Sequence, residues 1–310
     1  MTDTPTAAGG GFWRSAVALG RDIKLSHSVF ALPFALLATF LAAGASGSLP
    51  GWATLTLIVL CMVTARTVAM SVNRLADASM DAANPRTAQR AIPRGELSQR
   101  FALGTIALAG LGFIAAASGF YWLNGNLWPV VLAPVVLAYL AGYSYSKQVT
   151  ALCHLMLGGA LALSPIAAVI AVAPPYLAAA TPWLLAAMVT CWVAGFDVIY
   201  ALQDLSFDRV HGVYSIPAKI GADGALWVSR GFHTIAAVML ALVTFSSTML
   251  GTGFALAAVV AVGLLVAEHA LVAGSNEHRI PLVFITINGL ISLLLGAAGI
   301  VDIALTLNTP

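Results

Sequence analysis

Two acidic clusters dominate a chain that is otherwise poor in charge. The first runs Asn73, Arg74, Asp77 and Asp81, followed by Asn84, Pro85, Arg86, Thr87 and Arg90; the second runs Asp197, Tyr200, Asp204 and Asp208. On a helix, positions i, i+4 and i+8 drift only about 80°. Asn73, Asp77 and Asp81 are therefore expected on one face, and Asp204 and Asp208 on another. Carboxylates gathered in this way repel one another, and such a cluster persists where a cation compensates it. Both separations, Asp77 to Asp204 and Asp81 to Asp208, are 127 residues (204 − 77 and 208 − 81). Equal spacing suggests an internal repeat that supplies one acidic pair from each half. Two such pairs suit hard Mg²⁺ ions, with oxygen ligands from the protein and a diphosphate completing the shells. The bland alternative is a set of solvated loop carboxylates balanced by nearby arginines.

Two further charges share the phase of these clusters. Arg66 lies seven residues before Asn73, and Asp197 seven before Asp204. Seven residues is about 20° short of two turns and about 10 Å of rise, so each is expected to point into the same cavity, deeper than its motif. Charges at that depth are functional candidates by default. The alternative is an Arg66–Asp197 ion pair that only locks two helices together.

The elements that must carry these residues follow from composition. The 310 residues are 60% hydrophobic and 8% charged, with a mean hydropathy of +0.93, against about 25% charged in a soluble domain. That excludes an ordinary soluble enzyme and predicts an all-α polytopic membrane protein. Nine apolar windows are long enough to span: 27–47, 52–72, 99–119, 127–146, 150–172, 181–201, 230–250, 252–272 and 281–305. Residues 1–26 would form a cytoplasmic segment and 27–305 one transmembrane domain of two repeats.

Basic residues sort by alternate loops. Arg14, Arg21, Lys24, Arg74, Arg86, Arg90, Arg94, Arg100, Lys147, Arg209, Lys219, Arg230 and Arg279 fall on one side, and the loops near 48, 123, 176 and 251 carry none. The positive-inside rule then puts the N-terminus and both acidic loops, 73–98 and 202–229, in the cytoplasm. The N-terminal stretch lacks a continuous apolar core before a small-residue cleavage site, so no signal peptide is expected. The Trp residues at 52, 122, 128 and 183 read as interfacial anchors on the other side. Cys61, Cys153 and Cys191 have no metal or disulfide spacing, and the six histidines do not cluster. The histidines read as structural or loop residues, with Glu268 and His269 facing the cytoplasmic interface. No nucleic-acid partner is expected.

These stretches resemble the UbiA-type intramembrane aromatic prenyltransferases. The likeness rests on LSHSVFALPFA, NRLADASMDAANPRTAQRAIP, YSYSK at 143–147 and GFDVIYALQDLSFDRVHGVYSIPA. The family's usual first motif reads NDxxDxxxD, whereas Arg74 replaces the first Asp here. That departure, with ARTVAM, EHALV and the NG at 288–289, is similar to the 4-hydroxybenzoate polyprenyltransferase-like branch and, within it, to the enzyme of futalosine-route menaquinone synthesis. The resemblance implies a nine-helix horseshoe with a cytoplasmic cap, in the inner membrane. It also implies transfer of a polyprenyl group from its diphosphate to 4-hydroxybenzoate or 1,4-dihydroxy-6-naphthoate. Asn73, Asp77, Asp81, Asp204 and Asp208 would bind Mg²⁺. Arg86, Arg90 and Lys147 would neutralise the diphosphate, while Tyr143 and Tyr200 would face an allyl cation. Arg66 would anchor the acceptor's carboxylate, and Asp197 its hydroxyl. The isoprenoid tail would lie in membrane lipid. Haem or chlorophyll-type acceptors, and a membrane transporter, are the competing readings.

Overall fold

The computed structural model describes residues 11–22, 25–273 and 280–308. The side chain of His27, along with Lys24, His278, Arg279 and residues 1–10, lies outside the described residues. All regular structure among the described residues is helical: α1 (Phe12–Asp22), α2 (Leu32–Ala45), α3 (Trp52–Ala76), α4 (Ala78–Ala83), α5 (Gln99–Asn124), α6 (Trp128–Gly142), α7 (Cys153–Val172), α8 (Ala180–Ala201), α9 (Leu205–His211), α10 (Ile216–Ser246), α11 (Thr252–Ala273) and α12 (Ile280–Asn308). Nine segments among the described residues are long and apolar enough to span a bilayer, as the sequence predicts. The chain is a multi-pass membrane protein. Its large exposed apolar side chains, such as Leu108, Leu256, Val259 and Leu282, are what a lipid-facing surface requires.

The sixth and seventh spans differ from expectation. They run Ala180–His211 and Ile216–Ser246, so the segment between 202 and 229 is mostly helix rather than loop. Ser215 explains the early start of α10, because its Oγ accepts the Ala218 N–H at 3.3 Å and supplies the N-cap. Gly221, at φ 81° and ψ 174°, then breaks the helix without ending it, a conformation that glycine tolerates.

Packing sets the positions of the acidic segments. Helix α8 lies along α7 and α10, α3 along α5, and α2 against α7 and α12. Small residues permit close approach where side chains would obstruct it. A Cβ on Gly158 would strike the backbone carbonyl of Thr190 in α8, and one on Gly195 would strike the His233 ring of α10. At the far side, Asp302 of α12 accepts the Gly251 and Phe254 N–H groups at 2.8 and 2.7 Å, satisfying the start of α11. Trp52, Trp122, Trp128 and Trp183 are all exposed there.

Glu268 is not at an interface. It is 1% exposed, and its Oε1 accepts the Asn288 Nδ2 hydrogen at 2.7 Å, while Trp192 Nε1 donates to Asn288 Oδ1 at 2.8 Å. The neighbouring His269 meets His233 at 3.0 Å. A carboxylate can sit this deep because a neighbouring helix supplies its donor.

The glycine contacts yield a paired expectation. Gly158→Ala should destabilise the detergent-solubilised protein by about 1–3 kcal/mol, since backbone cannot yield as a flexible side chain can. Gly104→Ala in α5, with open space around the new Cβ, should instead stabilise by roughly 0.5–1 kcal/mol. Thermal unfolding of the two variants beside the parent checks both signs.

Candidate active site

Both acidic motifs interrupt a helix at their first aspartate. Asp77 ends α3 and precedes α4, with φ −92° and ψ −4°. Asp204 ends a short 3₁₀ turn and precedes α9, with φ −105° and ψ 5°. This is the sparsely populated bridge region between helix and strand. The sequence predicted a continuous helical face, whereas the break places Asp81 and Asp208 on the separate short helices α4 and α9. Equal spacing in sequence thus corresponds to the same local conformation in both halves.

Every motif carboxylate is held by a donor. Lys147 Nζ donates to Asp77 Oδ2 at 2.6 Å, and Asn73 Nδ2 donates to the same oxygen at 3.1 Å. Arg90 Nη1 reaches both oxygens of Asp81 at 2.7 Å. Arg86 grips Asp204 through two nitrogens, with Nε at 2.8 Å from Oδ1 and Nη2 on Oδ2. Ser215 Oγ donates to Asp208 Oδ2 at 2.7 Å. Arg86 also donates to the Tyr200 hydroxyl at 3.3 Å and stands 5.4 Å from that ring's centroid.

The chain places these donors by local means. Asn84 is extended before Pro85, as a residue preceding proline tends to be. Its Oδ1 accepts the Arg86 N–H at 3.0 Å, while its Nδ2 donates to Asp204 Oδ1 at 2.8 Å. One asparagine therefore shapes the turn and fastens the first loop to the second motif. Lys147 lies on the 3₁₀ turn Tyr143–Gln148, and its carbonyl accepts the Tyr214 N–H at 2.8 Å.

These groups surround one cavity of about 590 Å³. Asn73, Asp77, Asp81, Asp204, Asp208, Arg86, Arg90, Lys147, Tyr143, Tyr200 and Asp197 all line it; Arg66 does not. The α3 wall of the cavity ends at Met70, one turn short of Arg66, where α3 packs through Ala65 and Ala69 against Tyr139 and Tyr143. Helical phase offers Arg66 as a partner for Asp197. Asp197 Oδ2 instead meets His154 Nδ1 at 2.7 Å.

The structure adds residues that the sequence reading passed over. His154, set aside with the other histidines, is 2% exposed and lines the cavity. Arg74 also lines it, 6% exposed, with Asp22 of α1 at 3.7 Å and Asp81 at 3.9 Å. Neither distance is a hydrogen bond, and among the described residues Nε and Nη1 of Arg74 have no hydrogen-bond partner. The helix-end position of Arg74 beside Asn73 was the available signal. No sequence signal marked Asp22, which is more than 50 residues away in the chain.

A metal is compatible with this donor set. Carboxylate and amide oxygens are the ligands that hard divalent cations take, and Asp77 Oδ1 is buried with no hydrogen-bond partner among the described residues. Among the described residues no three His, Cys, Asp or Glu side chains converge as a ready-made cage, because Lys147, Arg86 and Arg90 now hold the carboxylates.

Burial raises the Asp77 carboxyl above its ordinary range, and Lys147 opposes that rise. Lys147→Met should therefore leave a buried charge without its counter-ion and lower the unfolding temperature, by an amount equivalent to about 3–5 kcal/mol at most. Adding Asp77→Asn should recover much of the loss. Scanning calorimetry of the single and double variants measures this.

The comparisons with known proteins agree with this architecture. The sequence profile of the UbiA prenyltransferase family matches residues 31–296. The chain is 32% identical over 237 residues to a 4-hydroxybenzoate octaprenyltransferase of Paracidovorax citrulli, covering 73% of each protein. Its fold matches the apo structure of a UbiA homologue from Aeropyrum pernix K1 with a TM-score of 0.80 and 30% identity, covering 90% of this chain and 98% of that one. A UbiA homologue from Archaeoglobus fulgidus bound to GPP and Mg²⁺ matches with a TM-score of 0.70 at 16% identity, over 93% of this chain and 99% of that one, and so shares the fold. With two helix-breaking aspartates facing one cavity and a family profile that spans nearly all the apolar helices, the chain belongs to the UbiA prenyltransferase family.

Proposed function

We propose that this protein transfers a polyprenyl group from a polyprenyl diphosphate to a small aromatic acid in quinone biosynthesis. The acceptor would be 4-hydroxybenzoate or 1,4-dihydroxy-6-naphthoate, and the acidic side would be cytoplasmic, capped over the inner membrane by the segments 73–98 and 202–229. The observation that carries the reading is the meeting of both broken-helix aspartate pairs with Lys147, Arg86 and Arg90 at one cavity. The names of the relatives support the acceptor class.

Asn73, Asp77, Asp81, Asp204 and Asp208 would hold Mg²⁺, which when bound makes the diphosphate a more stable leaving group. Lys147, Arg86 and Arg90 supply the cationic donors for the diphosphate oxygens. As the allylic C–O bond breaks, its electron pair stays with the diphosphate. The π faces of Tyr143 and Tyr200 stabilise the allyl cation. A ring carbon of the acceptor then forms the new C–C bond and gives up its hydrogen as a proton, which restores the aromatic ring, while Asp197 accepts a hydrogen bond, or the proton, from the ring hydroxyl. The apolar membrane portion of the cavity keeps water from the cation, and the isoprenoid tail lies in lipid.

The acceptor's carboxylate falls to Arg74 rather than Arg66. Arg74 lines the cavity, and among the described residues its Nε and Nη1 have no hydrogen-bond partner, whereas Arg66 is not among the residues that line it.

Two results are expected from the purified enzyme with a long polyprenyl diphosphate and aromatic acids, products being identified by mass. Chelation of Mg²⁺ abolishes transfer, and Asp77→Ala or Asp204→Ala lowers it by orders of magnitude; full activity in excess chelator would remove the metal from the reaction. Arg74→Lys raises the acceptor KM by roughly 30- to 150-fold, the equivalent of about 2–3 kcal/mol, with the diphosphate KM nearly unchanged. Arg66→Lys stays close to the parent, and the opposite ranking would return the anchor to Arg66.

A further inference from the structure

His154 has no part in the reading above, yet its two ring nitrogens are both engaged at the cavity wall. The Ile216 N–H donates to Nε2 at 3.2 Å. Ile216 is the first residue of α10, so this is one of the N–H groups that a helix cannot satisfy internally. A nitrogen that accepts a hydrogen bond carries no proton. With the Ile216 N–H directed at Nε2, that nitrogen serves as the acceptor, and Nδ1 is left to donate to Asp197 Oδ2 at 2.7 Å. The His154 side chain is 3% exposed, against 25% for that of Asp197. The histidine is thus locked behind the carboxylate, and the carboxylate faces the cavity.

The residue before Ile216 touches the other half of the site. Ser215 Oγ donates to Asp208 at 2.7 Å. Two successive residues at the start of α10 accordingly tie the second acidic motif to the histidine that holds Asp197.

We infer that His154 is a positioning residue: held by the Ile216 N–H, its ring commits Asp197 Oδ2 and presents Oδ1 to the acceptor's ring hydroxyl. The inference rests on the role given above to Asp197. A hydrocarbon at position 154 would leave Oδ2 unbonded and free to rotate toward the substrate or away from it. An asparagine would keep a donor near the place of Nδ1.

The test uses the full-length enzyme in detergent, with steady-state kinetics for both substrates and an unfolding temperature for each variant. His154→Leu is expected to lower kcat roughly 10- to 100-fold, the loss of one charge-assisted hydrogen bond, with the diphosphate KM changed less than about twofold. His154→Asn should recover most of that loss. Because the histidine acts through the aspartate, His154→Leu should add little in an Asp197→Asn background, as coupled residues are not additive. Several outcomes overturn the inference. A double variant showing the full product of both losses would do so, as would His154→Leu raising both KM values in step with a lowered unfolding temperature. A parental His154→Leu beside an impaired Asp197→Asn overturns it while leaving the role of Asp197 intact. An unimpaired Asp197→Asn removes that role and this inference together.

Discussion

A carboxylate taken to the edge of a bilayer loses water that the surrounding chain must replace with donors, and the arrangement of this protein follows from that requirement. Asp77 is 2% exposed and Asp81 5%, yet each holds a basic side chain within hydrogen-bond distance. Those partners come from separate parts of the chain: Lys147 from the turn after α6, and Arg86 and Arg90 from the loop after α4. The loops are therefore not free connections over a helical bundle. They are fastened to the acids, and the acids are kept apart by the cations between them.

The same requirement explains why both helices break where they do. A straight helix through Asp77 and Asp81 would stack the two carboxylates on one face, about one turn apart. With the chain turned at Asp77 and again at Asp204, the second carboxylate of each motif acquires different neighbours. Asp81 takes Arg90, and Asp208 takes Ser215. Asn84 closes the arrangement by joining the loop of the first half to the first acid of the second half. The resulting cavity has hard oxygen ligands and fixed cationic donors side by side. Handling a diphosphate with its metal requires that combination.

Elsewhere in the interior, buried polar side chains are linked across helices. Glu268, Asn288 and Trp192 form one chain of bonds, and Asp302 is consumed by two backbone N–H groups. From Trp192 two edge-to-face contacts, through Phe196 to Phe284, and then a tilted one reach Tyr200 on the cavity. The rigid core and the reactive cavity therefore share a wall, so the position of Tyr200 depends on packing well inside the bundle.

What the sequence determined by itself is what periodicity and charge can carry. The number of spans and the gathering of both acidic motifs at one end of the bundle follow from the apolar runs and their order along the chain. The paired spacing of Asp77 with Asp204 and of Asp81 with Asp208 also located the cavity, because an even number of helices between them returns the chain to the same side. Helical phase alone misled in two places. It put Arg66 in the cavity, since phase says nothing about where a cavity ends, and only the packing of α3 on α6 decided that Met70 closes it. It also offered Arg66 as a partner for Asp197, where the tertiary fold supplied His154 from α7. Likewise, Arg74 could be read as a departure in a motif, but its burial beside Asp22 needed α1 to fold back across the cavity. Those choices belong to contacts between distant segments. A buried charge accepts whichever donor the packing brings within about 3 Å, and no local pattern in the chain encodes which one that is.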